Sequence, residues 1–123
     1  MIFNSIKPVR LAIVDRHSNV LDEIRHTLVG HCPEWSIRCF EDGEHLLTDL
    51  ERREYDLVVS DIRLPGLCGG EFLRSIARKA PETVRVVSYD LERQEDVMSH
   101  LDAWNQFITK PCEPGMLISV VEE

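Results

Sequence analysis

"YDLVVS" at residues 55–60, followed at once by Asp61, is the stretch that decides the fold. Leu57, Val58 and Val59 are apolar in succession rather than in alternation, so the strand they predict is buried on both faces. Its β-branched residues favour extended backbone. Such a strand belongs in the middle of a sheet, and this one runs directly into a carboxylate.

Outward from it, "RLAIV" (10–14) and "TVRVVS" (83–88) read as two more buried strands, "SIRCF" (36–40) alternates as a strand nearer the sheet edge does, and "QFIT" (106–109) is short. The stretches between them are amphipathic. "HSNVLDEIRHTLVGHCP" (17–33) places Leu21, Ile24 and Leu28 on one helical face, with Ser18 as N-cap and Gly30 and Pro33 punctuating the end. "GEHLLTDLERR" (43–53) buries Leu46, Leu47 and Leu50, and residues 71–80 bring Phe72, Leu73, Ile76 and Ala77 to helical spacing. "ERQEDVMSHLDA" (92–103) is a fourth helix. "EPGMLISVVEE" (113–123) opens a fifth, with Pro114 in its first turn, and stops after little more than two turns. The expectation is one domain over residues 1–123, its last helix truncated and any output domain outside it.

Strand and helix thus alternate five times. Short buried strands with helical crossovers predict an α/β fold with a doubly wound, mostly parallel sheet. A length of 123 residues and 43% hydrophobic content supply one core. A net charge of −8 and a pI near 5.1 argue against a nucleic-acid-binding surface. No stretch approaches the roughly 18 apolar residues of a membrane span, and the opening "MIFNSIKPVR" is too short in apolar residues for a signal peptide. Cys32, Cys39, Cys68 and Cys112 have neither CxxC nor zinc-finger spacing, which points to reduced thiols in a cytoplasmic protein.

In doubly wound sheets the ligand crevice lies outside the carboxyl ends of the strands. Asp15, Arg16, Asp61, Ser88 and Lys110 stand there. A carboxylate such as Asp61 is able to act as a nucleophile toward phosphorus and carry an aspartyl phosphate. Phosphoryl transfer needs its oxygens neutralised, which Lys110 supplies as a point charge and a divalent cation on Asp15 supplies through oxygen ligation. The Ser88 hydroxyl is suited to hydrogen-bond a phosphoryl oxygen. Each residue alone is equally well a turn cap or a solvated side chain; the conjunction at four strand ends is specific.

At this point the chain resembles the response-regulator receiver domain of two-component signalling. "DLVVSDIRLPG" resembles the family's phosphoacceptor strand and loop, "RVVSYD" the strand delivering its Ser/Thr, "FITKPCEP" its Lys-Pro signature, and "FEDGEHLL" its second strand and following helix. The resemblance implies a flavodoxin-like (βα)5 fold with strand order 2-1-3-4-5. It implies Asp61 as phosphoacceptor, Lys110 as the phosphate-contacting lysine, and Ser88 with Phe107 as the switch pair. Phe107 is either that switch aromatic or a plain core phenylalanine. Mg²⁺ is the implied cofactor, held by Asp15, Asp61 and the backbone carbonyl of Arg63. The implied partners are a histidine kinase or phosphotransfer protein, and an output domain or homodimer docking through the face of the fourth helix, fifth strand and fifth helix. Met98 and Trp104, near that face, serve an interface or simple packing. The domain would be a signalling device rather than an enzyme, at most promoting its own phosphorylation and dephosphorylation.

The sequence departs from the family at one telling position. Where the family carries a second acid after the first strand, Arg16 follows Asp15. Arg16 removes an oxygen ligand and adds a permanent positive charge, so Mg²⁺ binding is expected to be weak or absent. Its guanidinium either occupies the pocket, paired with Asp61 or Asp15, or swings out to solvent. The first placement suggests a second reading, a phosphorylation-independent pseudo-receiver in which Arg16 replaces the metal. Cys68, where the family often has an aspartate, is a milder departure. A hydrolase of the haloacid-dehalogenase type would need an acid two residues after Asp61, and Arg63 stands there.

Overall fold

The computed structural model describes residues 9–61, 69–98, 106–109 and Gly115. Five strands, β1 (Arg10–Val14), β2 (Ser36–Phe40), β3 (Leu57–Asp61), β4 (Val84–Tyr89) and β5 (Gln106–Thr109), form one sheet in the order β2-β1-β3-β4-β5. All four neighbouring pairs are parallel. The helices are α1 (Ser18–His31), α2 (Gly43–Asp49), α3 (Gly69–Lys79) and α4 (Gln94–Met98), the last entered through a short 3₁₀ turn at Leu91–Arg93. This is the flavodoxin-like arrangement, with β3 in the middle and every one of its residues buried.

Alternation along the inner strands splits the core in two, as a period-2 backbone requires. Leu11, Ile13, Leu57, Val59 and Val86 face α1, where Leu21 and Leu28 close the layer. Ala12, Val14, Val58 and Val87 face the other side, covered by Leu46 of α2, by Phe72, Leu73 and Ile76 of α3, and by Val97 of α4. Because β2 is an edge strand it keeps partial exposure throughout.

The observed boundaries correct several expectations. The N-cap of α1 is His17, not Ser18, and its side chain makes no capping hydrogen bond; the first turn closes on the His17 carbonyl instead. Gly30 lies inside α1, which runs on to His31 with Cys32 as C-cap. Helix α2 stops at Asp49, four residues before the predicted end. Leu47, Leu50 and Ala77 are only partly buried. The predicted helix at 92–103 begins as a 3₁₀ turn and is described as far as Met98. Arg63, Cys68, Trp104, Lys110, Cys112 and the final helical stretch, apart from Gly115, lie outside the described residues.

A few contacts set how the layers meet. Helix α2 starts on Asp42, whose carboxylate accepts from the His45 amide at 2.9 Å, and the next residue, Gly43, packs against the Phe72 ring of α3. A Cβ at Gly43 would lie 2.6 Å from Phe72 Cδ1, closer than real side chains allow. At the amino ends of the strands, Arg10 of β1 engages both carboxylate oxygens of Asp56. Nearby, the buried Tyr55 hydroxyl donates to Asp49, and the Tyr55 carbonyl accepts from Thr83 Oγ1 at 2.7 Å. Tyr55 therefore joins the end of α2 to the starts of β3 and β4. Its hydroxyl holds the Asp49 carboxyl below the usual range, with Arg53 adding to that effect against the desolvation that opposes it.

Gly43→Ala should destabilise the fold by about 1–3 kcal/mol through overpacking against Phe72. Urea denaturation checks this, and an unchanged midpoint would show that α2 and α3 separate freely. Tyr55→Phe should cost about 1–2 kcal/mol at neutral pH, where Asp49 is ionised. Because the Asp49 pKa is depressed in the folded state, that stabilisation is present above the unfolded carboxyl value, about 3.9, and is lost as pH falls through the folded one. The difference between the two proteins should shrink at pH 3; an equal difference at pH 3 and pH 7 would assign it to packing alone.

Candidate functional site at the carboxyl ends of the strands

Asp15, Ser60, Asp61, Thr83 and Ser88 are polar or charged residues buried among the described residues. Thr83 belongs to the Tyr55 junction. The other four stand together at the opposite, carboxyl edge of the sheet. Burying carboxylates is costly unless they are hydrogen-bonded or paired, so such a cluster is the candidate functional site.

The parallel register positions them. Asp61 is the last residue of β3 and pairs with Ser88 of β4. Val14 of β1 pairs with Ser60, so Asp15 follows β1 at the level where Asp61 ends β3. Asp15, Asp61 and Ser88 expose only 3%, 6% and 5% of their surface, which places all three inward. The Asp15 amide donates to the Phe40 carbonyl of β2 at 3.1 Å, and its Oδ1 accepts from the His17 amide at 2.9 Å. That second bond folds the chain sharply between β1 and α1. Ser60 turns its hydroxyl onto the Asp61 carbonyl, 2.9 Å away, and is occupied with the backbone. Lys110 follows β5 directly in the chain but lies outside the described residues, as does Arg63.

Arg16 is exposed. Among the described residues it makes no ion pair with Asp15 or Asp61; its Nε donates to His17 Nε2 at 3.4 Å. Of the two placements expected for the guanidinium, the structure has the outward one. The reason is local: Asp15 turns in to accept from the backbone two residues on, and the residue after it is carried to the outside of the turn. The pairing on which a locked pseudo-receiver would rest is not formed among the described residues.

Phe107 is 47% exposed and is no core residue. It sits opposite Val87 on the α3/α4 face of the sheet, and its ring lies 6.3 Å from the ring of Tyr89, tilted by 54°. Tyr89, directly after Ser88, is only 4% exposed and fills the core beneath α4 together with Val97. Sequence reading passed over both Tyr89 and His17. The period-2 alternation of β4 was enough to place Tyr89 on the Val87 face, whereas no sequence signal announces the Arg16–His17 contact.

The two buried carboxylates fit a divalent cation, since both are hard oxygen donors on adjacent strands. The position of Arg16 does not fit one. No group of three or more His, Cys, Asp or Glu side chains is arranged to hold a metal among the described residues.

Comparison with known proteins agrees with this architecture. The chain is 29% identical over 121 residues to the hydrogenase transcriptional regulatory protein HoxA of Cupriavidus necator, a match spanning 97% of this chain and 24% of that protein. It is 32% identical over 118 residues to protein-glutamate methylesterase/protein-glutamine glutaminase 6 of Anaeromyxobacter dehalogenans, spanning 95% of this chain and 33% of that one. The chain therefore spans a quarter to a third of the length of these curated relatives. The response regulator DrrB of Thermotoga maritima superposes with a TM-score of 0.78 at 28% identity, covering 94% of this chain and 51% of that one. The BeF3-activated DrrB receiver domain superposes equally well and is covered over 95% of its length. The family model of the response regulator receiver domain matches residues 11–122, nearly the whole chain from β1 onward, and the protein belongs to that family.

Proposed function

We propose that this receiver domain accepts a phosphoryl group on Asp61 from a histidine kinase or phosphotransfer protein, and so switches a protein-interaction surface. The observation that carries the reading is the placement of Asp61: a buried carboxylate at the end of the central strand, in register with the Ser88 hydroxyl and level with Asp15. An Asp61 carboxylate oxygen bonds to phosphorus as the bond from phosphorus to the donor imidazole nitrogen breaks, and the imidazole leaves with that electron pair. The Ser88 hydroxyl donates to a phosphoryl oxygen, and Lys110 neutralises the charge delivered.

Asp15, Asp61 and the Arg63 backbone carbonyl are the groups that would hold Mg²⁺, which when bound neutralises phosphoryl oxygens. Arg16, in place of an acid, weakens that hold. The domain works as a cytoplasmic signalling device and promotes at most its own phosphorylation and dephosphorylation. Its output passes through the face of α4, β5 and the final helical stretch, to an output domain or a second copy; Met98 and Phe107 are exposed there.

Treatment with a small-molecule phosphodonor followed by intact-mass measurement should add one phosphoryl group to the wild-type chain and none to Asp61→Asn, because an amide is no nucleophile. An adduct that persists on Asp61→Asn would remove Asp61 from the role. Thermal melts across a Mg²⁺ titration address the cage. Excess Mg²⁺ should shift the wild-type melting temperature little. Arg16→Asp adds a third acid beside Asp15 at the mouth of the site and should be less stable without metal. Mg²⁺ at 100 times its Kd should restore about 2.7 kcal/mol to that variant by mass action. Equal shifts in the two proteins would show that Arg16 leaves metal binding intact.

A further inference from the structure

The proposed phosphoryl site has an arginine at its mouth whose charge the fold does not use. Arg10 is tied to Asp56, Arg53 to Asp49 and Lys79 to Glu51. Arg16 has no carboxylate partner among the described residues, and its described contact is the one from Nε to His17. Its two terminal nitrogens, the tines that bind a phosphate bidentately, are left available.

Its backbone position is fixed. The Asp15 carboxylate holds the His17 amide at 2.9 Å, so Arg16 is pinned at the apex of that turn. From the Val14–Ser60 register, Asp15 lies level with Asp61 and Arg16 one residue beyond. With parallel strands about 4.8 Å apart and a rise of about 3.3 Å per residue, the Arg16 backbone lies within one side-chain length of a group carried on Asp61. Among the described residues, an exposed 3.4 Å contact to His17 is what holds its side chain. A phosphoryl group on Asp61 would bring oxygens beside Asp15, and this chain has no second acid there to recruit a cation for them. A guanidinium, charged at every working pH, meets the same need directly.

From this we infer that Arg16 binds the phosphoryl oxygens at Asp61 itself, so that the site recognises a phosphoryl group without a divalent cation. The inference rests on the proposed role of Asp61. Beryllofluoride, a phosphoryl mimic, tests it on the whole chain by ¹⁹F NMR, titrated in EDTA and again in excess Mg²⁺. Wild-type protein should give a bound fluoride signal in EDTA, with little gain on adding Mg²⁺. Arg16→Gln should weaken binding in EDTA by about tenfold or more, and Arg16→Lys should recover part of it, a point charge without the fork. Circular dichroism melts establish that each variant is folded. Wild-type binding only with Mg²⁺, or equal binding by wild type and Arg16→Gln in EDTA, overturns the role of Arg16 and leaves that of Asp61 standing. Unaltered binding by Asp61→Asn overturns the Asp61 reading, and no binding under either condition overturns both.

Discussion

A strand buried on both faces and ending in a carboxylate is the constraint on which the rest of this molecule depends. Every residue of β3 is buried, so the sheet must extend to either side of it and helices must cover both faces. The apolar layers on the two faces hold β3 rigidly by its Leu57, Val58 and Val59 side chains. Asp61 ends the strand two residues past that apolar support. Its position is set by the whole sheet rather than by a loop, which is what the proposed phosphoacceptor role would need.

The two ends of the sheet carry different sets of polar groups. At the amino ends, polar groups are matched: Arg10 with Asp56, Tyr55 with Asp49, Thr83 with the Tyr55 carbonyl. This edge ties β1, β3, β4 and α2 together and stabilises. At the carboxyl ends, buried acids from β1 and β3 and a hydroxyl from β4 are brought to one level. Burying two carboxylates at one level requires that their oxygens be hydrogen-bonded or paired, as the Asp15 Oδ1 is by the His17 amide.

At this edge Arg16 and Phe107 depart from burial in a similar way. Each is the exposed member of a pair whose other member is buried. Asp15 turns in and Arg16 is carried out; Tyr89 packs under α4 and Phe107 stays against its rim. Tyr89 is buried in the core cluster, with the exposed Phe107 ring 6.3 Å away.

Much of this was legible in the residues alone. Successive apolar residues in 57–59 announce a central strand, alternation in 36–40 an edge strand, and the five-fold βα order a parallel sheet; Asp15, Asp61 and Ser88 fall at strand ends by counting. These depend on periodicity, which is local. Boundaries were less legible, because a cap is decided by competition: the His17 carbonyl accepts from the Val20 and Leu21 amides that a Ser18 cap would need, so α1 starts on His17, and Gly30 stays helical. The direction of Arg16 and the exposure of Phe107 were not legible at all. A long cationic side chain reaches an acid or solvent equally well in sequence terms, and a phenylalanine is apolar whether covered or not. Only the tertiary structure chooses between them, since the choice depends on which neighbouring strand or helix has already filled the space.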